Sequence, residues 1–139
     1  MNLVTNAFEA QTTGGSITIT TFNRYVDRPL KGYEDIEKGE FVVLQVADKG
    51  SGMNTEEVER IFEPFYTKKS MQRSGTGLGM TVIWATVKDH AGYIDIQSKE
   101  GEGTRIDIYL PATRESADDK NRRIVLEDYI GHEHILVVD

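Results

Sequence analysis

Cysteine is absent from the 139 residues, which excludes disulfides, thiolate metal sites and thiol nucleophiles together. A reduced, cytoplasmic setting is in keeping with that. Proline occurs three times and histidine three times, so neither a proline-rich spacer nor a histidine-rich metal tract is available. No apolar run approaches the ~20 residues of a membrane span, and Met1 opens no signal-peptide pattern. A membrane anchor elsewhere in a longer parent is untouched by this. Positive charge is also short: 16 Lys and Arg against 23 Asp and Glu give a formal net charge of −7. Sequence-independent nucleic-acid binding needs a basic face that displaces counterions, so nucleic acid is not the expected partner. What remains is ordinary for a globular protein, 38% apolar and 28% charged, with length for one domain and not for two.

Along the chain, residues 2–10 suit a helix, with Leu3, Ala7 and Ala10 on one face. Gly14 and Gly15 end it, and 16–21 alternates Ile17 and Ile19 with threonine as a strand does. The polar stretch 22–40, with Pro29, Gly32 and Gly39, reads as a long hairpin connection. Phe41–Ala47 is apolar at nearly every position, which predicts a central strand covered on both faces. A short helix is expected from the Asn54 cap to about Phe62, with Glu57 completing a capping box. Residues 63–77 lack periodicity and read as a loop. Residues 78–90 form the clearest helix, with Met80, Ile83, Trp84, Val87 and Ala91 as its core stripe. Residues 93–97 and 104–110 alternate as a hairpin around Gly101 and Gly103, and Pro111 closes the domain. Residues 113–134 are rich in charge, as a linker is, and 135–139 (ILVVD) form a short apolar end.

Three segments carry the chemistry. Asn2 and Asn6 lie four apart on the opening helix, so both carboxamides share one face and could reach one cation. Magnesium takes hard oxygen ligands and keeps phosphates and waters in its shell, so one or two protein ligands suffice. Asp48-Lys-Gly-Ser-Gly-Met53 follows a buried strand. An acid at a strand end can accept from an exocyclic amine, and a base that leaves it unpaired forfeits roughly 1–3 kcal/mol. Gly50 and Gly52 allow close approach of backbone to a ring or phosphate. Gly75-Thr-Gly-Leu-Gly79 precedes the strongest helix, where free N–H groups and a positive dipole end seat phosphate. Its spacing matches neither the dinucleotide fingerprint nor a P-loop. Taken singly, each segment also fits an ordinary cap or turn.

In order and spacing, the three resemble the catalytic, ATP-binding domain of sensor histidine kinases, within the wider group of gyrase, mismatch-repair and chaperone ATPases. Residues 2–10 are similar to the N box, 48–53 to the first glycine box and 75–80 to the second. Ile61-Phe-Glu-Pro-Phe65 resembles the F box, which gyrase and chaperone members lack, and 101–111 the closing hairpin. The resemblance runs from residue 2 to about 112. It implies an α/β two-layer sandwich, a mixed β-sheet packed on helices in the Bergerat manner, with ATP or ADP and Mg2+ held between helices and a lid. Asn6 would ligate magnesium with Asn2 as second contributor. Asp48 would take the adenine amine, with Gly50, Gly52 and Met53 shaping its pocket. Phe62 and Phe65 would pack the base of the lid. Lys69, with Lys68 and Arg73 as helpers, would face the phosphates, against which Gly75, Thr76, Gly77, Leu78 and Gly79 would lie.

The resemblance also implies parts this sequence does not contain. The family's first strand is expected before residue 2, so an uncovered sheet edge is expected here, which the 135–139 tail or a neighbouring chain would fill. The dimerisation domain with the phospho-accepting histidine is expected upstream. His90, His132 and His134 stand in no such context and read as surface or helix-end residues, so the chain alone should not autophosphorylate. Residues 135–139 resemble the first strand of a receiver domain, the partner that would take the phosphoryl group onto aspartate. A degenerate interaction module and an anti-sigma-type serine kinase are the alternatives. The intact Asn6, Asp48 and glycines weigh against the first, and the F box and receiver-like tail against the second.

Overall fold

The structure is a computed structural model that describes residues 1–11, 14–67 and 77–113. The elements run α1 (Asn2–Glu9), β1 (Ile17–Val26), β2 (Gly39–Asp48), α2 (Thr55–Arg60), α3 (Gly79–Asp89), β3 (Tyr93–Lys99) and β4 (Gly103–Pro111). The strands form one sheet in the order β1-β2-β4-β3, with every pairing among them antiparallel. The helices pack on one face, giving the expected two-layer α/β sandwich.

Register sorts the side chains. Val46 stands opposite Ile106, and Ile108 opposite both Leu44 and Ile94, so these residues share the inner face beneath the helices. There Ile94, Ile96, Ile106 and Ile108 pack with Met80 and Val87 of α3, while Leu3, Met53, Ile61 and Phe62 pack around them. Burying each large aliphatic side chain is worth about 1.5–3 kcal/mol, which makes this cluster the main anchor of α3 on the sheet. The outer face carries a second cluster of Val26, Ile36, Phe41, Val43 and Tyr109.

That second cluster alters the reading of the β1–β2 connection. β1 extends to Val26, and what remains of the connection crosses the outer face as a strap pinned by an antiparallel bridge between Leu30 and Ile36. The strap supplies the outer cover of β2, so Phe41 and Val43 are buried on one side and Val46 on the other. The double coverage read from 41–47 holds along most of β2; Val42 is the exception, at 40% exposure.

α2 begins with the expected capping box: the Asn54 side chain accepts from Glu57 N at 3.0 Å, and Glu57 returns to Asn54 N at 2.9 Å. On α3 the stripe is narrower than read from the sequence. Met80 and Val87 are buried, but Trp84 is 40% exposed and Ala91 lies beyond the helix end with φ of 52°. Trp84 falls on the flank of the stripe, where the Lys88 ammonium stands 5.9 Å from its ring. His90 is a helix-end residue, its Nδ1 within 2.8 Å of Thr86 O. Among the described residues β1 is an edge strand, exposed from Thr18 to Tyr25. The tail expected to cover such an edge, the 114–134 part of the linker, His132 and His134 lie outside the described residues. Among the described residues no helix is long and apolar enough to cross a membrane.

Candidate functional site

The start of α1, the turn after β2 and the start of α3 meet around a cavity of about 660 Å³ on the inner face. The sheet contributes Val46, Asp48, Thr104 and Ile106; α1 contributes Asn2, Leu3, Asn6 and Ala7; the segment after α2 contributes Ile61, Tyr66 and Thr67; the start of α3 contributes Gly77, Gly79 and Met80. Its size and mixed apolar and polar lining suit a nucleotide-sized ligand.

Asp48 is half-buried at the end of β2, opposite Ile17 on one side and Thr104 on the other. One of its carboxylate oxygens accepts the Gly50 N–H at 2.8 Å. The other has no hydrogen-bond partner among the described residues, and Asp48 lines the cavity. This is an acceptor held in orientation by its own turn, with capacity left for an incoming N–H.

The glycine turn is locked against its neighbours. Gly52 has φ of +64°, and a Cβ there would lie 1.9 Å from Lys99 O. Backbone bonds tie the turn down: Ser51 N donates to Ala10 O at 3.0 Å, and Gly101 N donates to Ser51 O at 2.7 Å. Gly50 is buried under the end of α1, where a Cβ would meet Ala10 O at 2.7 Å, so it shapes the pocket from behind without lining it. Met53 lines the cavity and its N–H donates to Ser98 Oγ at 2.9 Å. Ser98 donates in turn to Gly103 O at 3.1 Å and accepts from the Thr104 hydroxyl at 2.8 Å.

Asn2 and Asn6 both face the cavity. The Asn2 carboxamide nitrogen donates to Gly79 O at 3.3 Å, which joins the opening helix to the start of α3. The Asn6 carboxamide has no hydrogen-bond partner among the described residues. Its oxygen is therefore available to a hard cation in a way that suits magnesium, and the Asn2 oxygen stands one helical turn away.

Gly77 and Gly79 line the cavity, while Leu78 caps α3 from outside the lining at 37% exposure. Gly77 has φ of +67°, and a Cβ there would lie 2.5 Å from Phe65 C. That close approach lets Phe65 N donate to Gly77 O at 3.1 Å, so the two ends of the connecting segment meet. Phe62 packs on the inner core, but the Phe65 side chain is 74% exposed with φ of 66° and does not line the cavity. Lys68, Lys69, Arg73, Gly75 and Thr76 lie outside the described residues.

Several lining residues gave no signal in the sequence. Thr104 stands beside Asp48 only because of strand register. Tyr66, whose ring also meets the Arg60 guanidinium at 4.6 Å, and Thr67 sit in a stretch without periodicity. Glu57 reads from sequence only as a helix cap, yet it is buried and lines the cavity.

Comparison with known proteins agrees with this geometry. The profile of the family described as histidine kinase-, DNA gyrase B-, and HSP90-like ATPase matches residues 1–114. Sensor kinase CckA of Brucella abortus is 38% identical over 122 residues, which is 86% of this chain and 13% of that protein. Sporulation kinase E of Bacillus subtilis is 32% identical over 121 residues, 87% of this chain and 14% of its own. The chain thus spans about one seventh of the length of each of these two relatives. The catalytic domain of histidine kinase ThkA superposes with a TM-score of 0.58 at 32% identity, covering 79% of this chain and 61% of that one. With the profile spanning most of the chain and the cavity assembled from the same boxes, the chain belongs to the histidine kinase-, gyrase B- and HSP90-like ATPases, as an ATP-binding domain of the sensor histidine kinase type.

Proposed function

We propose that the cavity holds ATP with the adenine amine on Asp48 and the phosphates toward the start of α3, and that the longer protein transfers the γ-phosphoryl group to a histidine on a separate domain. The observation that carries the reading is the Asp48 carboxylate, oriented by Gly50 N–H with one oxygen left for the base. An exocyclic amine at that oxygen completes its hydrogen bonding. A guanine carbonyl would instead face it as a second acceptor, at a cost of about 1–3 kcal/mol.

Asn6, with Asn2 behind it, would hold magnesium, which when bound neutralises phosphate charge. Gly77 and Gly79 bring α3 backbone to the phosphate end of the cavity, where a helix start favours anions. Lys69, Arg73, Gly75 and Thr76 enter the reading from the family resemblance alone, as groups facing the same phosphates. Catalysis of this kind is mostly positioning and charge neutralisation. The accepting histidine nitrogen forms a bond to the γ-phosphorus as the bond to the β–γ bridging oxygen breaks, and ADP leaves. The proposed partners are a dimerisation domain bearing that histidine and a receiver domain bearing an aspartate.

Calorimetric titration with ADP, ATP and GDP, with and without magnesium, tests the reading alongside Asp48→Asn. Adenine-selective binding that weakens at least fivefold in the variant is expected. Equal affinity for GDP, or an unaffected Asp48→Asn protein, would remove Asp48 from base recognition. A folded domain that binds no nucleotide at all would return the interaction-module alternative.

A further inference from the structure

The strap between β1 and β2 does more than cover the outer face. Leu30 and Ile36 exchange two backbone hydrogen bonds, at 3.0 and 2.9 Å, and so pinch off a five-residue tip, 31–35. The base of this tip is fixed, since Ile36 is 2% exposed among Val26, Phe41 and Tyr109. The tip then reaches round β3, the end strand of the sheet among the described residues. Tyr33 N donates to Asp95 Oδ1 at 2.9 Å, and the Glu34 carboxylate accepts from Ile94 N at 3.0 Å and from Lys88 Nζ at 2.6 Å. Three contacts from two strap residues hold a polar loop on β3 and α3.

So held, the tip delivers one aromatic ring to the inner layer. Tyr33 meets Phe62 edge to face, with ring centroids 5.3 Å apart and planes at 71°. Its hydroxyl stands 3.5 Å from Glu59 O, at the limit of a hydrogen bond. Phe62 is also held through its backbone, where its carbonyl accepts the Thr81 hydroxyl at 3.1 Å. The neighbouring Ile61 lines the cavity, and the turn that follows carries Tyr66 into it. A side chain outside the cavity thus bears on the residue from which two of its lining groups hang.

We infer that Tyr33 is a positioning residue for the nucleotide site: by holding Phe62 it sets where Ile61 and Tyr66 stand, and thereby how tightly nucleotide is held. The inference rests on the cavity being the nucleotide site, and it adds a contribution from a segment that touches no part of that cavity. Without the Tyr33 ring, Phe62 loses an edge contact of the kind that contributes beyond its buried area. The turn bearing Tyr66 then samples arrangements that bind less well, and affinity falls by the fraction of time spent in them.

The test is ADP affinity by calorimetry for the wild-type chain, Tyr33→Ala and Tyr33→Phe, with peptide-level hydrogen exchange on each. Tyr33→Ala should weaken ADP binding about three- to tenfold. Exchange should quicken in 55–67 while 41–48 and 104–110 keep their protection. Tyr33→Phe keeps the ring and should bind within about twofold of wild type, because the lost hydroxyl contact is long. Should Tyr33→Ala not fold, Tyr33→Leu, which keeps bulk without a ring edge, is read by the same criteria. Unchanged affinity in the ring-less variant, with wild type binding normally, overturns the inference and spares the nucleotide site. A ring-less variant whose exchange quickens throughout the sheet marks a merely structural role and overturns it too. A folded wild-type chain that binds no nucleotide sinks both readings together.

Discussion

The two faces of the sheet each hold an acidic side chain, Asp107 buried on one and Asp48 half-buried on the other, and they treat it in opposite ways. On the outer face Asp107 is 4% exposed and engaged: Gln45 Nε2 donates to it at 2.9 Å, and Arg105 Nε stands 3.4 Å away. Around it Phe41, Val43 and Tyr109 are closed over by the strap. On the inner face the packing of Ile94, Ile96, Ile106 and Ile108 stops at the cavity, where Asp48 has one oxygen satisfied and one open. A buried polar group whose partners are all internal contributes to stability and specificity of fold. One that keeps unspent capacity at a cavity wall is equipped for a ligand.

Four measurements sharpen or break that contrast. The largest effect should come from Phe41→Ala, which empties a site under the strap where Phe41 meets Tyr93 and Tyr109 edge to face, with centroids 5.9 and 5.8 Å apart. It should cost about 3–5 kcal/mol in urea unfolding. At a temperature where the variant is folded its ADP affinity should fall by no more than the about three- to tenfold expected for Tyr33→Ala, since the strap bears on the cavity through Tyr33; a larger affinity loss would mean that the two faces are not separable.

Next comes the exchange of roles between the carboxylates. Asp107→Ala strands the Gln45 amide and should lower unfolding free energy by about 1–3 kcal/mol with nucleotide binding intact. Asp48→Asn should do the reverse, losing affinity on that scale with a much smaller change in stability. If both variants moved the same observable, open and closed carboxylates would not be a meaningful distinction here.

A smaller effect, about 1 kcal/mol, is expected for Asn54→Ala, which removes the cap of α2 on the inner face. Thermal unfolding reads it directly.

The smallest is alkaline. Burial above all pushes the Tyr109 hydroxyl above its ordinary 10.0, with Arg24 opposing; burial and then Glu34, Glu59 and Glu63 push Tyr33 up likewise. A raised folded value favours the neutral phenol, so this contribution is whole below pH 10 and is lost as pH rises through the folded values. Urea unfolding free energy should therefore decline above pH 10, and Tyr33→Phe should flatten part of that decline. An unchanged slope in the variant would show that Tyr33 ionises alike in both states.

Much of the site was legible because its chemistry is local. The capping box of Asn54 and Glu57, the i, i+4 pair Asn2 and Asn6, and the glycines at 50, 52, 77 and 79 act within a turn or two of chain. Such signals need no knowledge of the fold to be read. Thr104 and Tyr66 were not legible, since register alone sets Thr104 beside Asp48 and Tyr66 falls in a stretch without periodicity. Trp84 was misplaced because apolar spacing locates a stripe without its width. Phe65 belongs to a recognisable box, yet its φ of 66° turns the side chain to solvent.

By itself, then, the sequence determined the family, the order of helices and strands, and several of the polar groups that line the cavity, because periodicity, capping and glycine turns are short-range physics. Tertiary structure decided which of those groups share a cavity, through the register that sets Thr104 beside Asp48 and the bond from Asn2 to Gly79. It also decided that a polar connection would become a strap. That outcome depends on Ile36, Phe41 and Tyr109 meeting across strands far apart in the chain, and only the folded sheet brings them within reach.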